Sequence, residues 1–383
     1  MSFSFKTWPF PSPKNNRHLL KCSKYGLIAH AMNNNVSIYF EEFGHFTPLT
    51  MWSPFQHQIT AIEWYDASKT MNTAVPVLVI SSISGRIEVY DCRSRIGIFK
   101  THINLNQSSN SISNLTFPNP TTLTHIQANS RRENDYVTSI AWPQFSSSTF
   151  FVGTKNGRLV RFEITIGQIA KCRIVWELFF DFQIDHICIE PQFGEICAVA
   201  SKKGSIATIQ NINKFHNGKP PEASPNVVTL SNKTDSIIQI DFYPTSTDFL
   251  ILVTTSNSLL YSINDCCTAP LLMLPGIRKF HILHESGNMS LIVREDTVEI
   301  WSSLATKSKR LAELKMVTTP KYTNQKEVIV SDMMGDKLIL LTSQMWLTTV
   351  EVKNSTKLFV THRVKLLDSK PLSFSYANES IAI

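Results

Sequence analysis

The histidines and the paired acidic residues are the side chains of this chain whose spacing could support metal binding or catalysis. His281 and His284 form an HxxH pair, and Glu285 is the only further ligand at usable spacing, so the sequence predicts no zinc site. Asp181 and Asp185 lie close together before a predicted strand. A loop carboxylate pair without a positioned partner favours solvated surface over general acid–base catalysis.

The short motifs of phosphate, dinucleotide, zinc-protease and serine-hydrolase chemistry are absent from the sequence. It contains no GxxxxGK[ST], GxGxxG, HExxH or GxSxG. We therefore expect no catalytic residue, no cofactor, no metal and no small-molecule substrate. The organisation of the chain must carry the functional interpretation instead.

Basic residues exceed acidic ones, with 37 Lys and Arg against 30 Asp and Glu, which gives a net charge of +7. A specific nucleic-acid surface needs a dense basic stripe with aromatic or helical reading elements. The basic clusters of this chain are small and lie apart. This favours solvated turns, with an acidic partner or an anionic membrane surface as the alternative. The residues singled out for such an interaction are Arg131, Arg132, Lys307, Lys309 and Arg310.

The composition is typical of a globular protein of the cytosol. Hydrophobic residues make up 43% of the 383 residues and charged residues 17%, so the chain can bury a core. The seven cysteines are odd in number and include no CxxC pair, which favours reduced thiols. The N-terminus lacks the apolar stretch of a secretory signal, and no apolar run is long enough for a membrane helix. We therefore expect a cytoplasmic protein.

A repeated unit of strands and tight turns organises the chain. In its clearest copy, an apolar strand at 57–64 precedes a second strand at 77–82, a turn at Ser84-Gly85 and a third strand at 86–91. Another copy turns at Asn156-Gly157, and Asn-Gly between alternating apolar residues is the strongest short hairpin signal, because both residues tolerate positive φ. Helical spacing is almost absent, so we predict an all-β protein.

Seven such hairpins follow one another. Their turns lie near residues 34, 84, 156, 203, 257, 295 and 343, a spacing of roughly 40–50 residues with one longer gap after the second turn. A repeat of this length with four short strands is typical of a β-propeller, and seven units predict seven blades. A β-sandwich is the alternative, but it would not predict so regular a recurrence.

The unit resembles the WD40 repeat. That family has a His near the start of each repeat and a Trp-Asp pair at the end of the third strand. The repeat from His57 keeps both ends, with Tyr90-Asp91 in place of Trp-Asp. The resemblance implies structural roles for His57, Trp64, Tyr90 and Asp91, in which the His supports a buried polar network with a neighbouring Asp or Ser. It also implies a rigid platform for protein–protein interaction.

We predict a single propeller domain over 1–383 with several departures from the regular repeat. The Ser- and Asn-rich stretch 101–136 has the composition of a disordered insertion between blades two and three. Residues 213–226 are expected to form a second loop, and 302–315 have the leucine spacing of a short helical insert. Residues 371–383 resemble the first two strands of a blade. They either close the ring by pairing with the N-terminal blade or form an incomplete extra blade.

A closer resemblance connects the chain with vesicle-tethering proteins. The segments Tyr25–His30, His57–Trp64, Ser84–Asp91 and Ile187–Pro191, with Lys370-Pro-Leu-Ser-Phe near the end, are similar in order to the N-terminal propeller of the WD-repeat-containing protein eleven family. Members of that family are large subunits of a tethering complex at the trans-Golgi network. The resemblance implies a non-enzymatic scaffold in vesicle tethering at the Golgi. Its partners would be other subunits of a complex, and it would associate peripherally with membranes.

Two other functions compete with this interpretation. One is a propeller subunit of another assembly, in the nuclear pore, in chromatin or in a cilium. The other is an enzyme built on a propeller, which would need several acids or histidines converging near the axis at the strand starts. The sequence pattern gives no such convergence.

Overall fold

The computed structural model describes most of the chain between residues 18 and 382. The residues that it does not describe are 1–17, 24, 43–44, 67–75, 93–97, 106–134, 144–147, 166–170, 214–220, 229, 231–234, 245, 273, 275, 284–288, 303–307, 316–327, 344, 354–356, 367–374, 378–379 and 383.

Seven four-stranded antiparallel sheets follow one another along the chain, which confirms the predicted all-β fold with seven propeller blades. Consecutive strands pair in each blade, so all four strands of a blade come from one continuous segment. The strands of blades one to four are β1 (His18–Cys22), β2 (Leu27–Met32), β3 (Asn35–Glu42), β4 (His45–Trp52), β5 (Ile59–Asp66), β6 (Pro76–Ser82), β7 (Arg86–Asp91), β8 (Ile98–Asn104), β9 (Val137–Ala141), β10 (Thr149–Thr154), β11 (Arg158–Thr165), β12 (Lys171–Phe179), β13 (His186–Ile189), β14 (Ile196–Ala200), β15 (Ser205–Gln210) and β16 (Ala223–Val227).

Blades five to seven repeat the same arrangement, and a separate hairpin follows them. Their strands are β17 (Ile237–Phe242), β18 (Phe249–Thr254), β19 (Ser258–Ser262), β20 (Cys267–Leu272), β21 (Lys279–Ile282), β22 (Met289–Val293), β23 (Thr297–Ser302), β24 (Lys309–Lys315), β25 (Val328–Met334), β26 (Lys337–Thr342), β27 (Trp346–Lys353) and β28 (Lys357–Lys365); those of the hairpin are β29 (Ser375–Ala377) and β30 (Ser380–Ala382). The described residues include no helix, and hence none long and apolar enough to span a bilayer.

The turn between the second and third strands of each blade lies where the sequence predicts it. Gly85, Gly157 and Gly204 occupy three of these turns with φ of 78°, 78° and 101°, and Asn33 occupies another with φ of 55°. At Gly157 the absence of a side chain is required, because a Cβ atom there would lie 2.6 Å from the Phe182 carbonyl oxygen. Turn chemistry therefore helps to set the register of these hairpins.

The core is divided among the interfaces between neighbouring blades. Every residue of the second strands β6 and β10 is buried, which explains why these strands are continuous apolar runs instead of alternating ones. At the interface of blades three and four, Phe151 and Trp176 share a buried cluster with Val199. The described residues form seven such clusters, one at each interface between neighbouring blades of the ring.

The seventh blade packs on the first and closes the ring. Leu20 and Ile28 of blade one lie in a buried cluster with Ile339 of blade seven. Across the same interface, Lys337 Nζ donates a hydrogen bond to Glu41 Oε1 at 2.8 Å. Side-chain packing and polar contacts such as this ion pair therefore close the ring, and among the described residues the sheets of these two blades share no strand.

One expectation for the segments between blades is wrong. The helical insert predicted for 302–315 is not found in the described part of that segment, because Lys309–Lys315 form β24, which pairs with β23, and 303–307 are not described. Ala312 and Leu314, two residues apart, lie on one side of this strand and pack against blade seven. The apparent helical spacing of the leucines hid this alternation.

The other predicted departures lie partly outside the described residues. Of the insertion predicted for 101–136, residues 101–104 belong to β8 instead, and 106–134 lie outside the described residues. Of the loop predicted for 213–226, residues 223–226 belong to β16, and 214–220 are not described. The two strands predicted within 371–383 pair with each other, and the sheet of blade one contains β1 to β4 only.

Candidate functional site

The first strand of each of the seven blades, which we call the inner strand, lines a central channel. The inner strands are β1, β5, β9, β13, β17, β21 and β25, and they enclose a cavity of about 530 Å³. The channel is the candidate functional site, since concave sites with convergent polar groups are where ligands bind. Its charged lining residues are Lys21, Glu63, Asp185, Asp241, Arg278, Lys279 and Asp332.

Lys21 on β1 is central to the charge arrangement of the channel. Its Nζ donates a hydrogen bond to the Glu63 carboxylate on the neighbouring inner strand β5. Burial lowers the pKa of Lys21, but the Glu63 and Asp332 carboxylates outweigh burial, so the pKa is raised. The amine therefore stays protonated at neutral pH, where it is neither a nucleophile nor a general base.

The other channel carboxylates bind groups of the protein. Asp332 Oδ2 accepts a hydrogen bond from the Cys22 backbone nitrogen at 2.8 Å and so links blade seven to blade one. Asp241 accepts a hydrogen bond from the Gln239 side-chain amide. Burial raises the pKa of Asp241, and the nearby Lys279 charge opposes that shift.

Two further side chains of the inner strands connect neighbouring blades. The Gln239 amide pairs with the Phe280 backbone, since its Nε2 donates to the carbonyl oxygen at 2.7 Å and its Oε1 accepts from the nitrogen at 3.0 Å. His186 Nε2 lies 3.1 Å from the Ile237 carbonyl oxygen. Burial lowers the pKa of His186 to about 4, so the ring is neutral at pH 7 and donates its Nε2 proton to that oxygen.

These contacts decide what the channel can do chemically. Glu63, Asp241 and Asp332 line the channel together with Lys21, and each raises its pKa, so the expectation that no acids meet near the axis is wrong. Each carboxylate, however, accepts a hydrogen bond from a neighbouring group, and those of Glu63 and Asp332 connect neighbouring blades. No group of three His, Cys, Asp or Glu side chains among the described residues could hold a metal ion. The geometry favours cohesion of the ring over acid–base chemistry.

A second set of carboxylates holds the turns at one end of the blades. Asp135, Asp185 and Asp235 precede the inner strands of blades three, four and five at a spacing of 50 residues. Each accepts a hydrogen bond from a backbone nitrogen in the turn after the second strand of its blade, at 3.1, 2.9 and 3.2 Å respectively. The interpretation of Asp185 as solvated surface is therefore wrong. Burial tends to raise the pKa of Asp235, but hydrogen bonds from the adjacent turn outweigh it and lower that pKa.

The residues of the predicted blade motif are buried with one exception. Trp64 is buried, and its Nε1 donates to the Lys21 carbonyl oxygen at 2.9 Å, which ties blade two to blade one. Tyr90 is buried and packs on Trp52 with ring centroids 5.2 Å apart, and Asp91 is buried beside it. His57 is exposed, so it takes no part in a buried network of the expected kind.

Two of the five predicted interaction residues lie within the part of the chain that the structure describes. Lys309 and Arg310 are exposed on β24, where Arg310 pairs with Glu313 at 3.3 Å. Arg131, Arg132 and Lys307 lie outside the described residues. Of the HxxH pair, His281 is half-buried on β21, and its partner is not described.

The channel residues Lys21, Glu63, Asp241 and Asp332 were missed by sequence reasoning. Each is a charged residue directly flanked by at least one apolar residue in a largely apolar first strand, as in Ala-Ile-Glu63-Trp. A charge at that position in several repeats is the signal that could have located the channel lining, because the first strand of a blade is its innermost strand.

Comparison with known proteins supports the fold. No protein-family model matches the chain, and no curated protein sequence matches it. Among solved structures, it is similar to a chain of the crystal structure of the mitotic checkpoint complex, with 11% sequence identity and a TM-score of 0.57. The similarity covers 87% of this chain and 86% of that chain. At this identity the likeness shows the propeller fold alone.

Proposed function

We propose that the chain is a non-enzymatic scaffold that holds other proteins of a multi-subunit complex on the rims of its propeller. The observation that carries this proposal is the use of the channel's polar groups. The side chains of Lys21, Asp332, Gln239 and His186 bind groups of neighbouring blades. Their hydrogen bonds hold a rigid ring together, and rigid elements are what position binding surfaces accurately.

The proposed setting of this scaffold is vesicle tethering at the trans-Golgi network. It is supported by the order of the segments that resemble the WD-repeat-containing protein eleven family. In this setting the protein is cytoplasmic and associates peripherally with the vesicle or Golgi membrane through its complex. Basic residues such as Lys309 and Arg310 on the exposed outer strand β24 would favour an acidic partner or an anionic membrane surface.

Proximity labelling of the full chain in cells, with imaging of the same tagged protein, tests this proposal. We expect Golgi puncta and enrichment of tethering or coat proteins over the labelling enzyme expressed alone. A nuclear rim, chromatin or cilium pattern with matching neighbours would replace the Golgi setting by another assembly. Recovery of no protein above the control would refute the scaffold itself.

A double substitution in the channel tests the non-enzymatic part. Lys21→Met with Glu63→Leu removes both charges of one half-buried ion pair together, so neither is left without the other, and the Asp332 carboxylate keeps its hydrogen bond from the Cys22 nitrogen. We expect the recovered partners and the phenotype of a deletion strain rescued by this variant to match those of the wild-type chain. Normal partner binding with failed rescue would indicate chemistry in the channel.

A further inference from the structure

The loop between β13 and β14 presents an aromatic side chain to solvent. Phe193 is 69% exposed, whereas Glu190, three residues earlier in the same loop, is 1% exposed. Single exposed apolar residues are common on protein surfaces and need no explanation by themselves. What distinguishes Phe193 is how firmly its backbone is held.

The buried Glu190 carboxylate fixes the tip of this loop. It accepts hydrogen bonds from three consecutive backbone nitrogens, those of Gln192, Phe193 and Gly194, the last two at 2.7 and 2.8 Å. Gly194 adopts a φ of 64°, a conformation that side chains rarely adopt. Hydrogen bonds from backbone amides to an ionised carboxylate are among the stronger ones in proteins.

Two side-chain contacts tie the same tip to its surroundings. Gln192 Nε2 donates to the Pro244 carbonyl oxygen of blade five at 3.1 Å. Asn213, in the loop between β15 and β16, donates from Nδ2 to the Gly194 carbonyl oxygen at 2.8 Å. The loop is therefore anchored to two neighbouring loops, and Phe193 projects from a preorganised support. Preorganisation lowers the entropy lost on association, and buried aromatic anchors dominate binding energy at interfaces.

Exposed acidic side chains outnumber the basic residues in the loops around Phe193, although the chain is basic overall. The first and third connections of a four-stranded meander lie at the same end of a blade, so the loops 190–195, 211–222, 243–248 and 263–266 of blades four and five share one end. Residues 190–195, 243–248 and 263–266 contain no Lys, Arg or His, and their exposed acidic residues are Glu195, Asp248 and Asp265. The loop 211–222 carries both signs, with Glu222 exposed and Lys214, His216 and Lys219 among its residues that are not described.

We infer that Phe193 is the anchor of a protein–protein interface and inserts into an apolar pocket of a partner protein whose rim carries basic side chains. The apolar side chain supplies the buried contact, and the surrounding carboxylates match a basic rim and repel an acidic one. This inference rests on the scaffold function proposed above and assigns one binding surface to it.

Site-specific photocrosslinking in the full chain is the first half of the test. A benzophenone amino acid is placed at position 193, and in separate variants at 227 and 359, and the crosslinked products of the three variants are compared. Val227 is 71% exposed on the outer strand β16 and matches Phe193 in exposure, whereas Phe359 is 45% exposed on the outer strand β28 and matches it in side-chain type. We expect a discrete crosslinked partner from position 193 that the two control positions do not give.

The second half of the test measures the affinity of the purified partner for the purified full chain. Phe193→Ala should weaken binding by about 30-fold, as at interface hot spots, while Phe193→Tyr and Val227→Ala should stay within about threefold of wild type. Glu190→Gln should weaken binding less than Phe193→Ala and speed hydrogen exchange of the amides at 192–194. Raising the salt concentration should slow association, as expected for a basic rim meeting an acidic surface.

The outcomes separate the two proposals. A partner crosslinked from 227 or 359 but not from 193, or an affinity that Phe193→Ala changes by less than twofold, overturns the assignment of this loop and leaves the scaffold function standing. Association that does not depend on salt overturns the basic rim. No specific crosslink from any of the three positions counts against both.

Discussion

Replacement of Gln239 by Met is the most direct test of the idea that polar side chains of the inner strands hold the blades together. Gln239 is 6% exposed, and its amide forms two hydrogen bonds with the Phe280 backbone of the next blade. Met has a similar volume and shape but lacks the amide, so the variant removes these bonds without opening a large cavity. The Phe280 nitrogen and carbonyl oxygen then lose their partner in a residue that is 1% exposed.

The expected loss follows from these two backbone groups and from the Asp241 carboxylate, which loses its hydrogen bond from the same amide. A buried polar group without a partner costs about 1–3 kcal/mol, so Gln239→Met should lower the free energy of unfolding by about 2–4 kcal/mol. With a urea dependence of about 3 kcal/mol per molar, this corresponds to a midpoint lower by about 1 M in urea denaturation. Hydrogen exchange at the Phe280 amide should become faster than in wild type.

Gln210→Met is the matched control, because Gln210 is an exposed residue at the end of β15. It should leave the midpoint within about 0.2 M of wild type, since surface substitutions change stability by about 0.5 kcal/mol or less. If the two variants have the same midpoint and the Phe280 amide exchanges at the wild-type rate, the contacts between inner strands do not stabilise the ring and the reasoning is refuted.

Three further predictions concern two substitutions at turns and the chemical labelling of the cysteine thiols. Asp235→Asn should lower the free energy of unfolding by about 1–2 kcal/mol at pH 7. Because folding lowers the pKa of Asp235, this stabilisation is lost on protonation, and the difference between variant and wild type in urea titrations should become smaller below about pH 4. An equal difference at pH 7 and pH 3 would contradict this. Gly157→Ala should lower the melting temperature more than Gly335→Ala, because both have positive φ but only Gly157 lacks space for a Cβ; equal shifts would show that the close approach is unimportant. Iodoacetamide should label Cys266 and Cys267 first in the folded chain, since the other cysteines are buried or half-buried; intact mass spectra with uniform labelling would argue against the described burial.

The repeat pattern predicted the architecture because the forces that create it are local. Asn33, Gly85, Gly157 and Gly204 tolerate the positive φ that tight turns need, and the apolar runs between the turns have the length of strands. The same local reasoning failed at Lys309–Lys315, which form a strand. Leu311 and Leu314 are three residues apart, and only pairing with β23 and packing against blade seven determine which side chains of this strand are buried.

The candidate site could be predicted much less well than the fold. Lys21 and Asp332 are about 310 residues apart in the chain, and closure of the ring brings the carboxylate to the Cys22 backbone. Sequence reasoning placed Asp185 on solvated surface because its partner, the backbone nitrogen of Lys202, belongs to a turn 17 residues later. Backbone partners leave no residue type in the sequence that would reveal them.

Local patterns in the amino-acid sequence were enough to predict a ring of seven four-stranded units, because strand alternation and turn chemistry act over a few residues. The contacts of the polar residues could be seen only once the blades were packed together. It placed the Lys21–Glu63 pair inside the channel, where charges bind one another across blades, and left Phe193 exposed above a buried Glu190. Such contacts depend on the distances between blades, and these distances are set by the packing of the whole ring.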